Sequence, residues 1–377
     1  MSNDVQDTQN DDLNPQASLF YSNLATIIKA TTLNTMTRSS TYTEMENTAE
    51  FYLENDIDYP MQAKLASIEI EKEDGSIVNY FDLPEEDQIV FVDMYTRYEA
   101  ELLSEKLAQI PSLSQYVEAQ NSIITEVLEE DSSLTRSGHL QIVDSKAFFA
   151  KLSSKLDAMA SSFVYDSESV GTRGIDICLY DSSPYAVQFE KARSLMANTA
   201  KRGDIIVALP CHDYPKCLIN FSNTQYKVGH AEIFIKDITS STNKYDDVTI
   251  GAWTSDGVSR QTLSNWCWRS YVVGVCSYKI KWVWRGLNSG FYVVKTPVSN
   301  PGLLATWAKK YEGRSYVKWY EFLTAKWVAP DRFTCTTLVW WCAKKAFGER
   351  ISPWYSTLVT PSDVLCDNNT YLKVAIE

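Results

Sequence analysis

The sequence predicts an α+β protein with a mainly helical N-terminal half and a C-terminal half that mixes strands with helices. Apolar residues recur at helical spacing through most of residues 15–165, whereas apolar runs typical of buried strands begin after residue 200. Composition changes at the same place, because all 11 tryptophans lie between Trp253 and Trp354 and none of the 8 cysteines precedes Cys178. We therefore expect two domains with different roles.

The chain divides into four predicted segments. Residues 1–14 are an acidic leader that we expect to be disordered, and residues 15–165 form an acidic, mainly helical domain. Residues 166–200 form a connector that glycines and a proline interrupt. Residues 201–377 form the strand-containing domain.

The net charge of −13 is unevenly distributed along the chain. Residues 1–200 carry 13 Lys and Arg against 34 Asp and Glu, whereas residues 201–377 carry 22 against 14. The acidic half argues against nucleic acid as a partner, since that needs a dominant basic surface. The opposite charges motivate the hypothesis that the acidic domain docks, delivers or occludes the basic one.

The sequence shows no membrane-spanning or signal segment. No apolar run approaches the roughly 18–20 residues that span a bilayer. The first residues, Met1 to Asp4, lack the basic and apolar regions of a signal peptide. Either the protein starts in the cytoplasm, or a leader has been trimmed from the chain.

Start signals and apolar stripes predict the elements of the N-terminal half. The predicted elements are a helix starting at Asn14-Pro15, a helix after a Thr41-x-x-Glu44 capping box, a hairpin joining residues 68–70 to 77–80, a helix over 84–110, a helix after Pro111 and a helix over 144–163. In the C-terminal half the predicted elements are a helix over about 185–200, strands at 203–209, 229–235, 248–253, 271–276 and 291–295, and helices at 303–311 and after Thr334.

The helix after Thr334 carries the most reactive residue type at its start. Thr334 is a suitable N-cap, apolar residues follow at helical spacing, and Gly348 is a usual C-terminal signal. This places Cys335 in the first turn, where the positive end of the helix dipole favours a thiolate. A nucleophilic cysteine gains from that position.

A cysteine nucleophile needs a base, and the chain has three histidines. His139 lies in the acidic helical half, where we expect a surface residue. His212 lies in a predicted loop between Cys211 and Cys217. His230 alone lies on a predicted strand, where a histidine is more often a buried core residue than a base.

Five motifs follow one another in order along the C-terminal half. They are Arg202-Gly203-Asp204-Ile205-Ile206, Gly229-His230-Ala231-Glu232-Ile233, Trp253-Thr254-Ser255-Asp256-Gly257-Val258, Thr334-Cys335-Thr336-Thr337-Leu338-Val339-Trp340 and Thr360-Pro361-Ser362-Asp363-Val364-Leu365. Together they resemble the circularly permuted branch of the NlpC-type papain-like hydrolases, the YiiX/YycO-like group, in which the histidine strand precedes the cysteine helix. The resemblance covers about residues 200–370 and says nothing about residues 1–165.

The resemblance implies an antiparallel sheet packed on the nucleophile helix, with Cys335 as nucleophile and His230 as its base. The implied reaction is attack on an amide or ester carbonyl to give a thioacyl enzyme. Backbone N–H groups at the start of the Cys335 helix are candidates for the oxyanion site.

The third catalytic residue is where the chain departs from the family. The family usually carries an acidic or polar residue on the strand after the histidine, and the matching position here is Gly251. Glu232 is the first candidate for the orienting residue, because strand alternation places it on the same side as His230. Thr249 and Asp247 share the face of Gly251. A Cys–His dyad without a third residue and an inactive descendant are the alternatives.

Other polar and aromatic residues give weaker signals. Cys211, His212 and Cys217 offer three metal ligands but no fourth, so we predict neither a metal nor a cofactor. Cys211–Cys217 and Cys267–Cys276 are possible disulfides in an oxidising compartment, with free thiols as the alternative. Candidate substrate-binding residues are Tyr316, Tyr320 and Trp253, and tryptophans 266, 268, 282 and 284 alternate along predicted strands.

The resemblance implies an amidase or peptidase that acts on bacterial cell-wall peptides. Since no signal peptide is present, we expect export by a non-Sec route, as for an antibacterial effector toxin with an immunity or delivery protein as partner. A trimmed lipoprotein and a cytoplasmic protein are the alternatives, and we expect a monomer. Two other functions stay open, a lipid-directed thiol esterase or acyltransferase and a non-catalytic binding protein with the same fold.

Overall fold

The structure, a computed structural model, mixes helices and strands in the α+β manner that the sequence predicts. Helices dominate before residue 166 and strands dominate after residue 204. None of the helices in the described ranges has the length and hydropathy that a membrane crossing requires. The structure describes residues 13–35, 69–71, 76–134, 140–142, 144–165, 193–208, 230–253, 256–263, 272–278, 282–287, 290–295, 300–318, 321, 325–347, 356–367 and 369–375.

The N-terminal half is built from long helices and two short hairpins. Helix α1 packs on α2 and α3, and α4 packs on α3. The hairpins are antiparallel pairs of three-residue strands. The elements are α1 (Pro15–Thr35), β1 (Glu69–Glu71), β2 (Ile77–Asn79), α2 (Glu85–Gln109), α3 (Pro111–Asp131), β3 (Ser132–Leu134), β4 (Leu140–Ile142) and α4 (Ser145–Tyr165).

Local signals in the sequence account for these helices. The N–H of Gln16 donates to Oδ1 of Asn14 at 2.9 Å, so Asn14 caps α1 and Pro15 occupies its first position. Pro111 begins α3 directly after the end of α2. These helix starts confirm the predictions. The Thr41 capping box lies outside the described residues.

The C-terminal half contains a sheet of six strands among the described residues. Its order is β14-β9-β5-β6-β7-β8, and every neighbouring pair is antiparallel. The strands are β5 (Ile205–Ala208), β6 (His230–Phe234), β7 (Asp247–Trp253), β8 (Gly257–Thr262), β9 (Val272–Tyr278) and β14 (Thr370–Ala375).

Two helices cover the middle of this sheet. Both α5 (Gly302–Lys310) and α7 (Cys335–Phe347) pack against β6 and β7, and they also pack against each other. Helix α7 is buried on almost every side over its first turns, with Leu338, Val339 and Cys342 fully buried. The remaining elements are short: β12 (Ser315–Tyr316), α6 (Ala325–Val328), β13 (Arg332–Phe333) and α8 (Pro361–Cys366).

A second sheet joins strands from both halves of the chain. Its order is β11-β10-β1-β2, where β10 (Trp282–Leu287) and β11 (Gly290–Lys295) form one hairpin and β1 and β2 form the other. The hairpins meet through parallel pairing of β1 with β10, in which Ile70 lies opposite Trp284. The neighbouring strands β1 and β10 are therefore more than 200 residues apart in sequence.

Buried polar contacts also connect the two halves. Lys106 on α2 is 6% exposed, and its Nζ donates to the carbonyl oxygens of Leu365 at 2.6 Å and Asp367 at 2.7 Å. The hydroxyl of Tyr116 on α3 lies 3.0 Å from Oγ1 of Thr360, which caps α8. The segment around α8 is thus fixed to the helical half.

The predicted strands at 203–209, 229–235, 248–253, 271–276 and 291–295 are confirmed by β5, β6, β7, β9 and β11. Strands β8 and β14 were not predicted from the sequence. Both lie at the edges of the six-stranded sheet, where no other described strand pairs with one side and an apolar run is not required. The predicted connector helix is described only from residue 193, and residues 193–196 are helical.

Candidate active site

Helix α7 begins with an N-cap that sets the position of Cys335. Thr334 is 1% exposed, and its Oγ1 accepts the N–H of Thr337 at 3.1 Å. Cys335 is therefore the first residue of the helix, where backbone N–H groups lack intrahelical acceptors and the helix dipole favours negative charge. The hydroxyl of Thr336 donates to the carbonyl oxygen of Val359, which ties the first turn to the segment before α8.

Strand β6 brings His230 to this thiol. Helix α7 packs directly against β6, and the imidazole of His230 forms a hydrogen bond with the side chain of Cys335. Cys335 is 8% exposed and the side chain of His230 is 14% exposed, so both are largely buried but reachable from solvent. Cys335 and His230, which the sequence predicts as nucleophile and base, are therefore in contact in the structure.

Glu232 contacts the other side of the imidazole. Its Oε1 lies 2.9 Å from Nε2 of His230, and its side chain is fully buried. Since an ionised carboxylate only accepts hydrogen bonds, Nε2 carries the proton in this contact. That leaves Nδ1 of His230 as the nitrogen that faces Cys335. Residues 230 and 232 lie on one face of β6, as strand alternation requires.

Two residues of β7 make room for Glu232 and hold it. The hydroxyl of Thr249 donates to Oε2, the carboxylate oxygen that does not contact His230. Gly251 has no side chain, and a Cβ built there would lie 2.3 Å from Cγ of Glu232 and 2.7 Å from Oε1. Atoms that are not bonded to each other do not approach this closely. The carboxylate thus occupies the place that a side chain at position 251 would take.

The electrostatics of the site favour a thiolate–imidazolium pair. Burial raises the pKa of the Cys335 thiol, but the charge of His230, its hydrogen bond and the backbone N–H groups of Ala231 and Thr336 together lower it below the ordinary value. Burial likewise lowers the pKa of His230, but the Cys335 thiolate and Glu232 outweigh it and raise that pKa to about 9.

The indole of Trp253 covers the histidine. Its ring centroid lies 4.2 Å from that of His230, with the two planes 49° apart. Trp253 is the last residue of β7, so the strand that carries Thr249 and Gly251 also carries this ring. A large apolar ring beside the imidazole limits the access of water to the His230–Glu232 hydrogen bond, which strengthens it.

The structure places the other sequence candidates as follows. Tyr316 is half-buried on β12, where it pairs with Phe333, two residues before Cys335. Asp247 is an exposed residue at the start of β7, away from His230. Six other candidates lie outside the described residues: Tyr320, His139, Cys211, His212, Cys217 and Cys267.

Two further cysteines among the described residues differ from Cys335 in their surroundings. Cys342, on the same helix, is a free buried thiol whose pKa burial raises above its ordinary value. Cys366 is also free, and burial is the largest cause that raises its pKa to about 12. Of these three described thiols, only that of Cys335 has a pKa below its ordinary value.

Sequence reasoning missed one of the two backbone donors at the thiol, the N–H of Ala231. The N–H groups of Ala231 and Thr336 both interact with the Cys335 sulfur, and together with His230 they surround it with donors. Every residue except proline has a main-chain N–H group, so residue types do not indicate which of these groups donates at a site. The proximity of position 231 to position 335 could be inferred only from the packing of β6 against α7.

Comparison with protein-family models, with curated proteins and with solved structures gives no match for this chain.

Proposed function

We propose that the protein is a cysteine hydrolase that cleaves amide bonds, with Cys335 as nucleophile, His230 as general base and acid, and Glu232 as the residue that orients the imidazole. The observation that carries this proposal is that His230 bridges Cys335 and Glu232. A buried carboxylate, an imidazole and a thiol in this order make up the arrangement that activates cysteine nucleophiles. The antiparallel sheet packed on α7 supports a permuted papain-like domain.

The reaction that this arrangement favours has two stages. The Cys335 thiolate attacks the carbonyl carbon, and the electron pair of the C=O bond moves to oxygen. Collapse of this tetrahedral species expels the amine, which takes the proton from the His230 imidazolium and leaves a thioester on Cys335. A water molecule then gives its proton to His230 and attacks the thioester. Collapse releases the carboxylic acid and restores the thiolate–imidazolium pair.

The first turn of α7 is suited to the negative oxygen of both tetrahedral species. Its N–H groups point out of the helix N-terminus, and the helix dipole adds a fixed positive field there. These donors need no reorganisation during the reaction, because the Thr334 cap already holds the turn. The same feature that favours the thiolate thus also favours the transition state.

Bacterial cell-wall peptides are the substrate class that we propose for this site. The motif resemblance between residues 200 and 370 supports this choice, and the thiol chemistry is compatible with it. Such a substrate lies outside the cytoplasm, so the proposal includes delivery of the protein to the wall.

A peptidoglycan digest tests this function. The purified chain is incubated with sacculi, and released muropeptides are identified by liquid chromatography and mass spectrometry. We expect new peptide ends from the native protein and from Cys342→Ala, the matched variant that removes a buried thiol on the same helix. Cys335→Ala and His230→Ala are expected to reduce product formation by at least about 100-fold. Equal products from Cys335→Ala would contradict the proposal.

The same variants separate the two other functions. Acyl groups released from phospholipid vesicles by the native protein but not by Cys335→Ala would favour a lipid-directed esterase or acyltransferase. A native protein that is inert toward both substrates, and that binds sacculi or vesicles as tightly as Cys335→Ala does, would favour a non-catalytic binding protein.

A further inference from the structure

We propose that Gly251 is a positioning residue, whose missing side chain reserves a carboxylate site beside His230 that an acid carried by either β6 or β7 could fill. In this protein the acid comes from β6, as Glu232. The inference rests on the proposed thiol chemistry of Cys335 and His230, and its test needs no substrate.

The strand register brings the two positions together. In the antiparallel pair of β6 and β7, Ile233 lies opposite Ile250 and Phe234 lies opposite Thr249. Continuing this register by one residue places Glu232 opposite Gly251. Directly opposed residues of neighbouring strands send their side chains to the same face, so both positions look toward the imidazole.

The two side chains would occupy one volume. A Cβ at position 251 would lie 2.3 Å from Cγ, 2.6 Å from Cδ and 2.7 Å from Oε1 of Glu232. All three approaches are too short for non-bonded atoms, and the atoms concerned belong to a fully buried side chain with a hydrogen bond at each oxygen. Any residue other than glycine at 251 therefore displaces the carboxylate from His230.

The same distances show that an acid at 251 reaches the site. In an aspartate, standard bond lengths place each carboxylate oxygen about 2.4 Å from its own Cβ. The oxygen that accepts from His230 in this structure, Oε1 of Glu232, lies 2.7 Å from the Cβ position of residue 251. An aspartate at 251 can thus place an oxygen within a few tenths of an ångström of Oε1, provided that residue 232 is reduced to glycine.

Thr249 favours either arrangement. It lies two residues from Gly251 on the same face of β7 and donates to the carboxylate oxygen that His230 does not use. The Thr249 hydroxyl can therefore donate to a carboxylate at this site whether the acid comes from β6 or from β7. The site therefore consists of one donor from β6, one donor from β7 and a space without a Cβ between them.

The test measures the protonation of His230 through the alkylation of Cys335. Iodoacetamide and iodoacetate both react with the thiolate, but the anionic iodoacetate is also attracted by the imidazolium charge. The rate of alkylation of Cys335 by iodoacetate, divided by the rate with iodoacetamide, therefore falls as His230 loses its proton. Both rates are quantified by peptide mass spectrometry. The pH midpoint of this fall is the measured quantity, and Cys335→Ser gives the background.

The reciprocal swap is the first arm of the experiment. We expect the midpoint of the native chain near pH 9. Glu232→Gly should lower it by about one unit or more, since a carboxylate in contact shifts a pKa by roughly 1–3 units. Glu232→Gly with Gly251→Asp should recover most of that shift, whereas Glu232→Gly with Gly251→Asn, its uncharged counterpart, should not. Equal midpoints for the Asp and Asn double variants would overturn the inference.

A second arm keeps the inference testable should the swap fail to fold. Gly251→Ala in the native background should displace Glu232 and lower the midpoint about as much as Glu232→Gly does. In the Glu232→Gly background the same alanine enters an empty space and should change nothing further. A shift of equal size in both backgrounds, or no shift in either, overturns the inference. A normal alkylation profile with an inert peptidoglycan digest would contradict the proposed substrate alone.

Discussion

His230 has one acidic neighbour for each ring nitrogen, the Cys335 thiol at Nδ1 and the Glu232 carboxylate at Nε2. The carboxylate fixes which nitrogen is protonated and how the ring is turned, and the thiol gains a nearby positive charge. Neither neighbour is freely solvated, since Glu232 is fully buried and Cys335 is 8% exposed. The imidazole and the thiol are thus held in one geometry by the fold alone.

The pH dependence of activity is expected to follow from these contacts. The pKa of Cys335 is lowered, so the thiolate persists to a lower pH than an ordinary thiol allows, and the rate should already be high near neutral pH. The pKa of His230 is raised to about 9, so the imidazolium needed as acid is lost only above that pH. We expect kcat/KM to rise below neutral pH, stay level, and fall above about pH 9.

The profile is measured on released peptides between about pH 5 and 10. In Glu232→Gln the falling limb should move to lower pH, because the amide cannot stabilise the imidazolium by charge. A rising limb at about pH 8.5, the ordinary thiol value, would contradict the ion pair.

Prediction from sequence succeeds at the residue scale where the signal is local. Thr334 as a cap, Cys335 in the first turn, and residues 230 and 232 on one strand face all depend on near neighbours, and the structure has each of them. The function of Gly251 depends on the register of β6 against β7. In sequence it reads as a missing side chain, whereas in the structure it is the space that Glu232 fills.

At the scale of single elements, the Thr334 side chain links the stability of helix α7 to the reactivity expected of Cys335. The hydroxyl of Thr334 accepts from the N–H of Thr337, and the Thr337 hydroxyl contacts the Thr334 hydroxyl and main-chain N–H in return. Both side chains are buried. Water cannot replace the Thr334 hydroxyl if it is removed, because the site is buried. Removing the hydroxyl should therefore loosen the first turn of α7 and change the surroundings of the Cys335 thiol.

Thr334→Val is expected to lower the free energy of unfolding by about 1–2 kcal/mol, since it removes the cap while keeping the shape of the side chain. It should also slow the alkylation of Cys335 at neutral pH, because a frayed first turn holds its N–H groups less firmly. Urea unfolding and iodoacetamide rates measure the two effects. Thr334→Ser, which keeps the hydroxyl, is the control and should retain most of both. Equal losses in the two variants would exclude a capping role.

The whole molecule is tied together by contacts between distant parts of the chain. Buried apolar residues of the helical half and of the six-stranded sheet belong to one core cluster. Nζ of Lys106 on α2 donates to the carbonyl oxygens of Leu365 and Asp367 at the C-terminal end of α8. The opposite charges of the two halves motivate the hypothesis that the acidic domain docks, delivers or occludes the basic one, but no sequence pattern predicts which residues make these long-range contacts.

Lys106→Met tests the strength of this connection. The substitution keeps the apolar stem and removes the ammonium. The carbonyl oxygen of Leu365 then loses this donor, whereas that of Asp367 keeps its hydrogen bonds from Thr370. We expect a loss of about 1.5–3 kcal/mol in the free energy of unfolding, measured by urea titration. Lys29→Met, which removes an exposed ion pair with Asp93, should cost about 0.5 kcal/mol or less. A loss at Lys106 no larger than at Lys29 would show that the two halves are held by other contacts.

The pairing of β1 with β10 has a consequence for how the protein is made. Glu69 to Glu71 leave the ribosome long before Val283 to Arg285, their partners in the sheet, have been translated. At about 5–20 residues per second, the β1–β2 hairpin waits roughly 10–40 s with one edge unpaired. During synthesis this edge is open to pairing with other nascent chains. The helical half can form early, but the second sheet can close only when more than three quarters of the chain has been synthesised. The yield of folded protein should therefore depend on the pace of translation and on chaperones that cover the hairpin.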